Sequence, residues 1–361
     1  MSRADEPLTL GDLEARAVAA LDPAWAGYFA GGAGGEHTLR ANAEAFARWE
    51  LRQRVLAGLS SVSTATEVLG IPVAHPIVVA PVAYQRMAHP DGEEGMAAAA
   101  AAVGGAMCLS TFATAEPAAV VAGAPGGVRF LQLYVLADRG ISDELVAQAV
   151  ALGFQAIVLT VDLPILGPRD RERRVQWRFP DEDLPAMRYA RTRGLGETDL
   201  GSIDRTLDTA YLERLVATAG VPVVVKGVME ADDARRCVAS GATGVVVSNH
   251  GGRQLDRVPA TLDVLAEVVA AVGDDAEVWV DGGVRRGTDV LTCLALGARA
   301  VLVGRQPLWG LVLGGSVGAR TVLELLREEL EIAMTLTGCG SISAVGPQIL
   351  RPASPWQDAT R

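Results

Sequence analysis

Lysine is almost absent from this chain, which uses arginine for nearly every positive side chain. Among its 32 lysine and arginine residues only Lys226 is a lysine, in the segment Pro222-Val223-Val224-Val225-Lys226-Gly227. Burying a cation after a run of apolar residues is costly unless a partner compensates for it. We therefore expect Lys226 to lie where a compact ammonium on a flexible stem is required, with chance survival of one lysine as the alternative.

Cysteine, basic clusters and long apolar runs are also scarce. Four scattered cysteines without CxxC spacing predict buried free thiols, with neither a disulfide framework nor a metal site. The net charge of −11 and the lack of a basic arm disfavour nucleic-acid binding. The longest apolar run, residues 96–107, is about half the length of a membrane span, and residues 1–10 lack a signal-peptide pattern. We expect a soluble cytoplasmic protein without a membrane partner.

Short β-branched runs recur along the chain with helical segments between them, which is typical of a parallel sheet built from βαβ units. In one such helical segment Ser142 can cap the start of a helix and Gly153 can end it. The β-branched runs are residues 77–83, 107–111, 129–135, 156–162, 222–228, 244–249, 277–283 and 300–305. Eight runs predict an α/β fold, a single-domain (β/α)8 TIM barrel spanning residues 1–361.

Three segments lie outside the regular alternation of strands and helices. Residues 1–70 precede the barrel and predict an N-terminal helical cap, with a first helix at 10–20. Residues 171–208 replace the apolar periodicity with arginines, acids and prolines, so we interpret them as a long excursion after the fourth strand that forms a mobile lid. Residues 323–336 predict the closing helix.

Polar residues collect at the predicted carboxyl ends of the strands, where barrels of this kind build their catalytic face. Glycines and arginines follow the last two strands at residues 281–287 and 304–305, a pattern that favours a phosphate site on a cofactor or substrate. The polar strand ends are Ser110, Thr111, Gln132, Tyr134, Thr160, Asp162, Lys226, Ser248, His250, Asp281 and Arg305.

The segment Ser248-Asn249-His250-Gly251-Gly252-Arg253-Gln254-Leu255-Asp256 places a titratable base three residues from a fixed cation. This pairing suits a small carboxylate substrate that must lose a proton. Asp162 can orient the second ring nitrogen of His250 across the barrel mouth. The other three histidines, His37, His75 and His89, lie in turn-like stretches and predict surface or loop roles.

The chain resembles the FMN-dependent L-2-hydroxy acid oxidising enzymes, such as glycolate oxidase, lactate oxidase, mandelate dehydrogenase and 4-hydroxymandelate oxidase. The resemblance covers nearly the whole chain, and residues 248–256 are the segment most specific to that family. The other matching segments, in family order, are Tyr28-Phe29-Ala30-Gly31-Gly32, Ala80-Pro81-Val82-Ala83, Gln132-Leu133-Tyr134, Thr160-Val161-Asp162 and Lys226-Gly227.

This resemblance implies a set of catalytic roles. His250 is the active-site base, which Asp162 orients and supports when protonated. Arg253 is the main clamp on the substrate carboxylate and Arg169 the second arginine near it. The hydroxyls that would bond the substrate belong to Tyr28 and Tyr134.

The same resemblance implies FMN as cofactor. The backbone of Pro81, Val82 and Ala83 meets the reactive N5 side, and Lys226 lies at the N1/O2 end, where a buried ammonium favours the reduced anion. The residues implied for ring or ribityl contacts are Ser110, Gln132, Thr160, Ser248 and Asp281. The residues implied for the phosphate end are Gly282, Gly283, Arg285, Gly304 and Arg305.

The implied reaction is oxidation of an L-2-hydroxy acid to its 2-oxo acid, by a carbanion or a hydride route. Residues 79–86 and 131–134 most resemble the 4-hydroxymandelate oxidase branch, which implies a mandelate-type substrate. Phe112, where several short-chain oxidases have tryptophan, and Pro168, where arginine is common, alter the substrate side of the pocket. Ala83 beside N5 favours O2 as electron acceptor.

Three other interpretations remain open. They are a dehydrogenase with another acceptor, an isomerase of the type 2 isopentenyl diphosphate isomerase kind, and a non-enzymatic flavin-binding protein. The pair His250 and Arg253 argues against the last two. Family members usually form homo-oligomers, often tetramers, so we expect the same here.

Overall fold

The computed structural model describes residues 9–177, 184–186 and 203–353. The segment before the barrel forms a helical cap, as predicted. Its first helix begins at Leu13 rather than at residue 10, and its strand Trp49–Leu51 pairs with a C-terminal strand, Leu350–Pro352. The elements of this segment are α1 (Leu13–Ala20), α2 (Pro23–Ala30), α3 (His37–Glu44), β1 (Trp49–Leu51), β2 (Thr66–Val68) and β3 (Ile71–Val73).

Eight parallel strands then close into a barrel, as the alternation of strands and helices predicts. The closure is made by the last strand against the first, with Val301 opposite Ile77. The strands are β4 (Ile77–Val79), β5 (Ala106–Leu109), β6 (Val128–Leu133), β7 (Ala156–Thr160), β8 (Val223–Val228), β9 (Gly244–Val247), β10 (Glu277–Asp281) and β11 (Ala300–Val303).

Helices connect the strands and surround the barrel. The closing helix is much longer than residues 323–336, because it continues from Arg305 through a break at Gly315, whose φ is +57°. The helices of this part are α4 (Gly92–Ala102), α5 (Pro117–Gly123), α6 (Arg139–Ala151), α7 (Asp170–Arg174), α8 (Thr209–Ala219), α9 (Ala231–Ala239), α10 (Thr261–Val272), α11 (Gly287–Ala295) and α12 (Arg305–Thr337).

The predicted cap of α6 is wrong. Asp138 caps this helix by accepting a hydrogen bond from the backbone N–H of Gly140, and Ser142 lies one turn inside it. The Ser142 hydroxyl instead accepts a bond from the backbone of Leu136, which fixes the loop after β6. Both residues are good caps, so the sequence alone does not choose between them.

Two hydrophobic layers hold the barrel. Alternate strand residues point inward and form an interior core around Trp279 and Phe130, whose rings lie 5.6 Å apart. The remaining strand residues point outward and pack on the apolar faces of the helices. Because both faces are buried, the strands are nearly continuous apolar runs, and a polar side chain at a strand end stands out from them.

Much of the predicted lid, residues 178–183 and 187–202 of the range 171–208, lies outside the described residues, so the lid stays a prediction. The described part of that range begins within α7, and Ile203 forms a bridge with Leu136. Across the residues that the structure describes, no helix has the length and apolar character needed to cross a membrane.

Candidate active site

A cleft with an empty volume of about 1180 Å³ opens at the carboxyl ends of the barrel strands. The residues predicted for the site converge here: most line the cleft, while Gln132, Asp162 and Ser248 lie one hydrogen bond behind it. Those that line it are Tyr28, Pro81, Val82, Ala83, Ser110, Tyr134, Thr160, Arg169, Lys226, His250, Arg253, Asp281, Gly282, Gly283, Arg285, Gly304 and Arg305.

His250 is held between a carboxylate and a phenol. It follows β9 with a φ of +60°, and its Nδ1 donates to Asp162 Oδ1 over 2.9 Å. Its Nε2 lies 3.2 Å from the Tyr134 hydroxyl. Because the Asp162 carboxylate accepts a hydrogen bond from Nδ1–H, the proton stays on Nδ1 and the lone pair is on Nε2, the nitrogen on the cleft side.

Burial and charge set the protonation states of this pair. Burial lowers the pKa of His250, the cations Lys226 and Arg169 act in the same direction, and Asp162 opposes them. Burial opposes ionisation of Asp162, but His250 and Lys226 outweigh it, so the pKa of that carboxyl lies below its ordinary value. A neutral imidazole beside a fixed carboxylate is the state that a general base requires.

Two arginines lie near this base, of which Arg169 is buried and Arg253 is partly buried. Arg253 Nη1 donates to the backbone oxygens of Tyr28, over 2.5 Å, and Gly31, over 2.8 Å, and the guanidinium lies 4.9 Å from the centre of the Tyr28 ring. Arg169 Nε donates to the backbone oxygen of Arg253 over 3.3 Å. Glu172 receives a bond from each guanidinium. The arrangement offers fixed donors to a carboxylate.

Lys226 has the partners that its burial requires. Its ammonium donates to Ser248 Oγ over 3.0 Å and lies 3.3 Å from Asp281 Oδ2. Ser248 also donates to that oxygen, over 2.9 Å. Burial opposes the charged form of Lys226, yet Asp281 and Asp162 raise its pKa above the ordinary value. The lone lysine is therefore a charged group in the cleft wall.

The opposite end of the cleft is built from glycines and helix starts. Gly282 and Gly283 have φ values of +99° and +81°, and a Cβ on Gly283 would lie 2.0 Å from the backbone oxygen of Asn42. The helix α12 begins beside these turns with backbone N–H groups that lack intrahelical partners. At the start of α11, by contrast, Asp289 and Glu329 accept bonds from the backbone N–H groups of residues 285–287. The glycine turns and the start of α12 can therefore accept a phosphate.

The two arginines predicted at this end are placed differently. Arg285 lies beside the turn, and its guanidinium pairs with Glu14 of α1 at 3.4 Å. Arg305 donates to the backbone oxygens of Phe29, Gly251 and Gly31 at 3.0–3.2 Å. Its guanidinium therefore ties the helical cap to the barrel, and both Gly304 and Arg305 line the cleft at the end where the phosphate is predicted.

An aromatic cluster forms the outer wall of the cleft. Trp177 stacks on Tyr28 with ring centres 4.6 Å apart, and Tyr84 lies 5.7 Å from Tyr28. On the inner side Phe112 stacks on Tyr134 at 5.2 Å. No role was predicted for Trp177 or Tyr84, because aromatic residues in a loop carry no periodic signal.

The model of the family described as FMN-dependent dehydrogenase matches residues 17–352 of the chain. The chain belongs to this family. It is 46% identical over 327 residues to glycolate oxidase 1 of Zea mays, covering 88% of each chain. It is 42% identical over 364 residues to an L-lactate oxidase of a Nostoc species, covering 97% of this chain and all of the relative.

Solved structures agree with these relatives. A mandelate oxidase crystallised with benzoyl-formic acid superposes with a TM-score of 0.88 at 40% identity, covering 96% of this chain and 99% of that one. A soluble mutant of the membrane-associated (S)-mandelate dehydrogenase of Pseudomonas putida gives a TM-score of 0.88 at 31% identity, over 96% and 100% of the two chains. The predicted family, barrel, enzymatic class and FMN cofactor are confirmed.

The cleft residues of this chain fit FMN. Among the buried polar atoms that have no protein partner within the described residues are Gln132 Nε2, Thr160 Oγ1 and Asp281 Oδ1. Buried polar groups are almost always bonded, so these atoms call for a ligand with donors and acceptors along its length. Lys226 lies in the wall of the cleft and the turn at Gly282 lies at its opposite end. The cleft can therefore hold a flavin ring near Lys226, a phosphate near Gly282 and a ribityl chain between them. The individual contacts stay predictions.

Proposed function

We propose that this member of the family oxidises an L-2-hydroxy acid to the 2-oxo acid, with His250 as the base. The observation that carries the proposal is the convergence of a neutral imidazole, oriented by Asp162 at 2.9 Å, with the paired arginines Arg253 and Arg169 in one cleft. A carboxylate clamp beside a base is what a 2-hydroxy acid needs and an isoprenoid diphosphate does not.

Each side chain has a distinct task. Arg253 and Arg169 bind the substrate carboxylate and so orient the adjacent carbon. Tyr28 and Tyr134 present hydroxyls to the substrate oxygen. His250 accepts a proton at Nε2, and Asp162 stabilises the imidazolium that forms. FMN, when bound, takes up the two electrons.

We further propose a mandelate-type substrate and O2 as the acceptor. Phe112 and Tyr84 line the cleft together with Leu163 and Leu166, which gives an apolar wall suited to an aryl side chain. The mandelate oxidase at 40% identity supports this choice of substrate, and the oxidases among the relatives support O2. Ala83, which lines the cleft, also supports O2 as the electron acceptor.

The visible spectrum of the FMN-loaded protein tests the proposal. Glycolate, L-lactate and (S)-mandelate are added in turn without oxygen, and at least one, with mandelate expected fastest, should bleach the flavin. His250→Asn should bleach at least about a hundredfold more slowly, whereas His37→Asn, which changes an exposed histidine, should match the wild type. Bleaching of His250→Asn at the wild-type rate refutes the role of His250. Failure of every hydroxy acid with the wild type refutes the proposed substrate class.

Single-domain organisation, a homo-tetramer and a cytoplasmic location stay predictions. The cap and the barrel share bonds through Arg305, which supports one domain. Sedimentation of the holoenzyme gives the assembly state directly.

A further inference from the structure

We propose that Glu172 holds the substrate clamp at a single net positive charge and thereby limits how tightly it binds any carboxylate, the product included. This inference rests on the proposed function, which assigns Arg169 and Arg253 to the carboxylate. Glu172 is 6% exposed, and one of its oxygens, Oε1, accepts from Arg169 Nη1 over 3.1 Å and from Arg253 Nη2 over 3.3 Å. Two guanidiniums and one carboxylate sum to one positive charge.

A clamp of two arginines without this acid would carry two positive charges in a buried site. Burial lowers the pKa of Arg253 to about 10, and repulsion from Arg169 contributes in the same direction, while Tyr28 and Glu172 oppose it. Glu172 therefore offsets part of the cost of placing two cations together. Once a monoanionic acid binds, the clamp and its ligand are neutral as a set.

The positions of the arginines depend only partly on Glu172. Arg253 is also fixed by the backbone oxygens of Tyr28 and Gly31, and Arg169 by the backbone oxygen of Arg253. Because a single oxygen of Glu172 serves both guanidiniums, the amide oxygen of a glutamine can keep both bonds. Glu172→Gln therefore removes the charge and retains the geometry, which separates the two contributions.

The substrate and the product carry the same carboxylate, so a stronger clamp would retain both. At an effective dielectric constant of about 20, removing a unit negative charge roughly 6 Å from the ligand tightens binding about a hundredfold. Allowing for screening by water at the cleft mouth, we expect at least about a tenfold fall in dissociation constant. The acid in this position thus favours turnover over retention.

The experiment measures binding of pyruvate and benzoylformate, the 2-oxo acids of lactate and mandelate, to the FMN-loaded protein through the change in its visible spectrum. Glu172→Gln should bind the preferred acid at least about tenfold more tightly and show a lower KM. Glu172→Ala, which lacks the oxygen that holds Arg169, should bind it more weakly than the wild type. This opposite response of two neutral variants is not expected of a residue that only supports the fold.

Asp170→Asn is the matched control. Asp170 lies in the same helix, α7, and within the described ranges it forms no hydrogen bond with Arg169 or Arg253. The substitution Asp170→Asn removes the same formal charge as Glu172→Gln. The affinity of the variant for the 2-oxo acid should nevertheless stay within about twofold of the wild type. If Glu172→Gln lacks a cooperative thermal transition, Glu172→Asp decides, because it keeps the charge and should bind within about threefold of the wild type.

The outcomes separate this inference from the proposed function. A wild-type protein that binds neither 2-oxo acid overturns both. A wild type that binds, combined with a Glu172→Gln variant that binds no tighter, overturns only the role of Glu172. Tenfold tighter binding by Asp170→Asn or by Glu172→Asp also overturns it, since the effect would then not follow the charge at Glu172.

Discussion

Replacing Asp162 with asparagine tests the catalytic pair most directly, because it keeps the size of the side chain and removes its charge. The Nδ1 of His250 donates to Asp162 Oδ1 over 2.9 Å, and both side chains are largely buried. Asparagine Oδ1 can accept the same bond, so the ring should stay in place. What is lost is the attraction between the carboxylate and the imidazolium that forms when His250 takes the substrate proton.

The size of the loss follows from the geometry. Charges about 4 Å apart attract by ~4 kcal/mol at an effective dielectric constant of about 20. We subtract about 1 kcal/mol for relaxation around the neutral pair, within the range of one hydrogen bond. The remaining ~3 kcal/mol corresponds to roughly a hundredfold lower rate of flavin reduction.

The pH profile provides a second readout. The base must be neutral, so the rate falls as pH drops through the pKa of His250, which burial already holds below its ordinary value. Asp162 opposes that effect, and its removal lowers the pKa of His250 further. The acid limb of Asp162→Asn should therefore move to lower pH while the plateau falls about a hundredfold.

Anaerobic stopped-flow reduction at several pH values measures both effects. Asp143→Asn is the control, because Asp143 forms an exposed ion pair with Arg214 and such pairs contribute little. A plateau for Asp162→Asn within about threefold of the wild type would show that the carboxylate does not stabilise the imidazolium. An acid limb that moves to higher pH would contradict the electrostatic argument itself.

Three further predictions concern the cofactor site and the fold. Lys226→Arg should lose FMN or lower its midpoint potential, because a planar guanidinium cannot replace an ammonium 3.0 Å from Ser248 Oγ; full flavin content with the wild-type potential would contradict this. Gly283→Ala should lower the free energy of unfolding by at least ~2 kcal/mol, since φ is +81° and its Cβ would meet the Asn42 carbonyl; urea unfolding measures it, and an unchanged midpoint and slope would exclude the clash. Burial, and to a smaller extent the positive charge of Arg327, lowers the pKa of His75 to about 4. The unfolded chain therefore takes up a proton between about pH 6.5 and 4 that the folded chain resists, and ~3 kcal/mol of stability is lost as pH falls through that window. His75→Gln should flatten this part of the stability curve, and parallel curves for variant and wild type would contradict the assignment.

The barrel and most of the site follow from local sequence. Strands buried on both faces are short apolar runs, so a polar residue at a strand end, such as Lys226 or His250, is visible without a structure. Closure of the barrel then brings all strand ends to one rim. This geometric consequence is why residues from Tyr134 to Arg253 could be placed together before their distances were known.

Contacts made by loops and caps could not be predicted in this way. Glu172 follows Arg169 by three residues in an arginine-rich stretch. In such a stretch the sequence does not distinguish a buried acid from an exposed one. The phosphate contact of Arg305 stays a prediction, but the bonds of its guanidinium to carbonyls of α2 and of the loop after β9, more than fifty residues away in sequence, were not predicted. His75 was predicted in a surface or loop role, and it lies buried in the loop before β4. For Glu172 and Arg305 the partners that could not be predicted, Arg253 and the carbonyls of the cap, are distant in sequence.

The charge of the whole chain was equally uninformative about the charge of its site. The formal net charge is −11, and a carboxylate substrate approaching the surface meets that excess. Beyond about 10 Å, however, dissolved salt screens most of it. Inside the cleft the balance is set by Lys226 against Asp281, His250 against Asp162, and Arg169 and Arg253 against Glu172. Lys226 and Asp281 compensate each other, the neutral His250 leaves the negative charge of Asp162, and the arginine clamp keeps one positive charge that Glu172 does not compensate. Under the proposed function a substrate carboxylate supplies the partner of that charge, so we expect the clamp, rather than the overall field, to select the ligand.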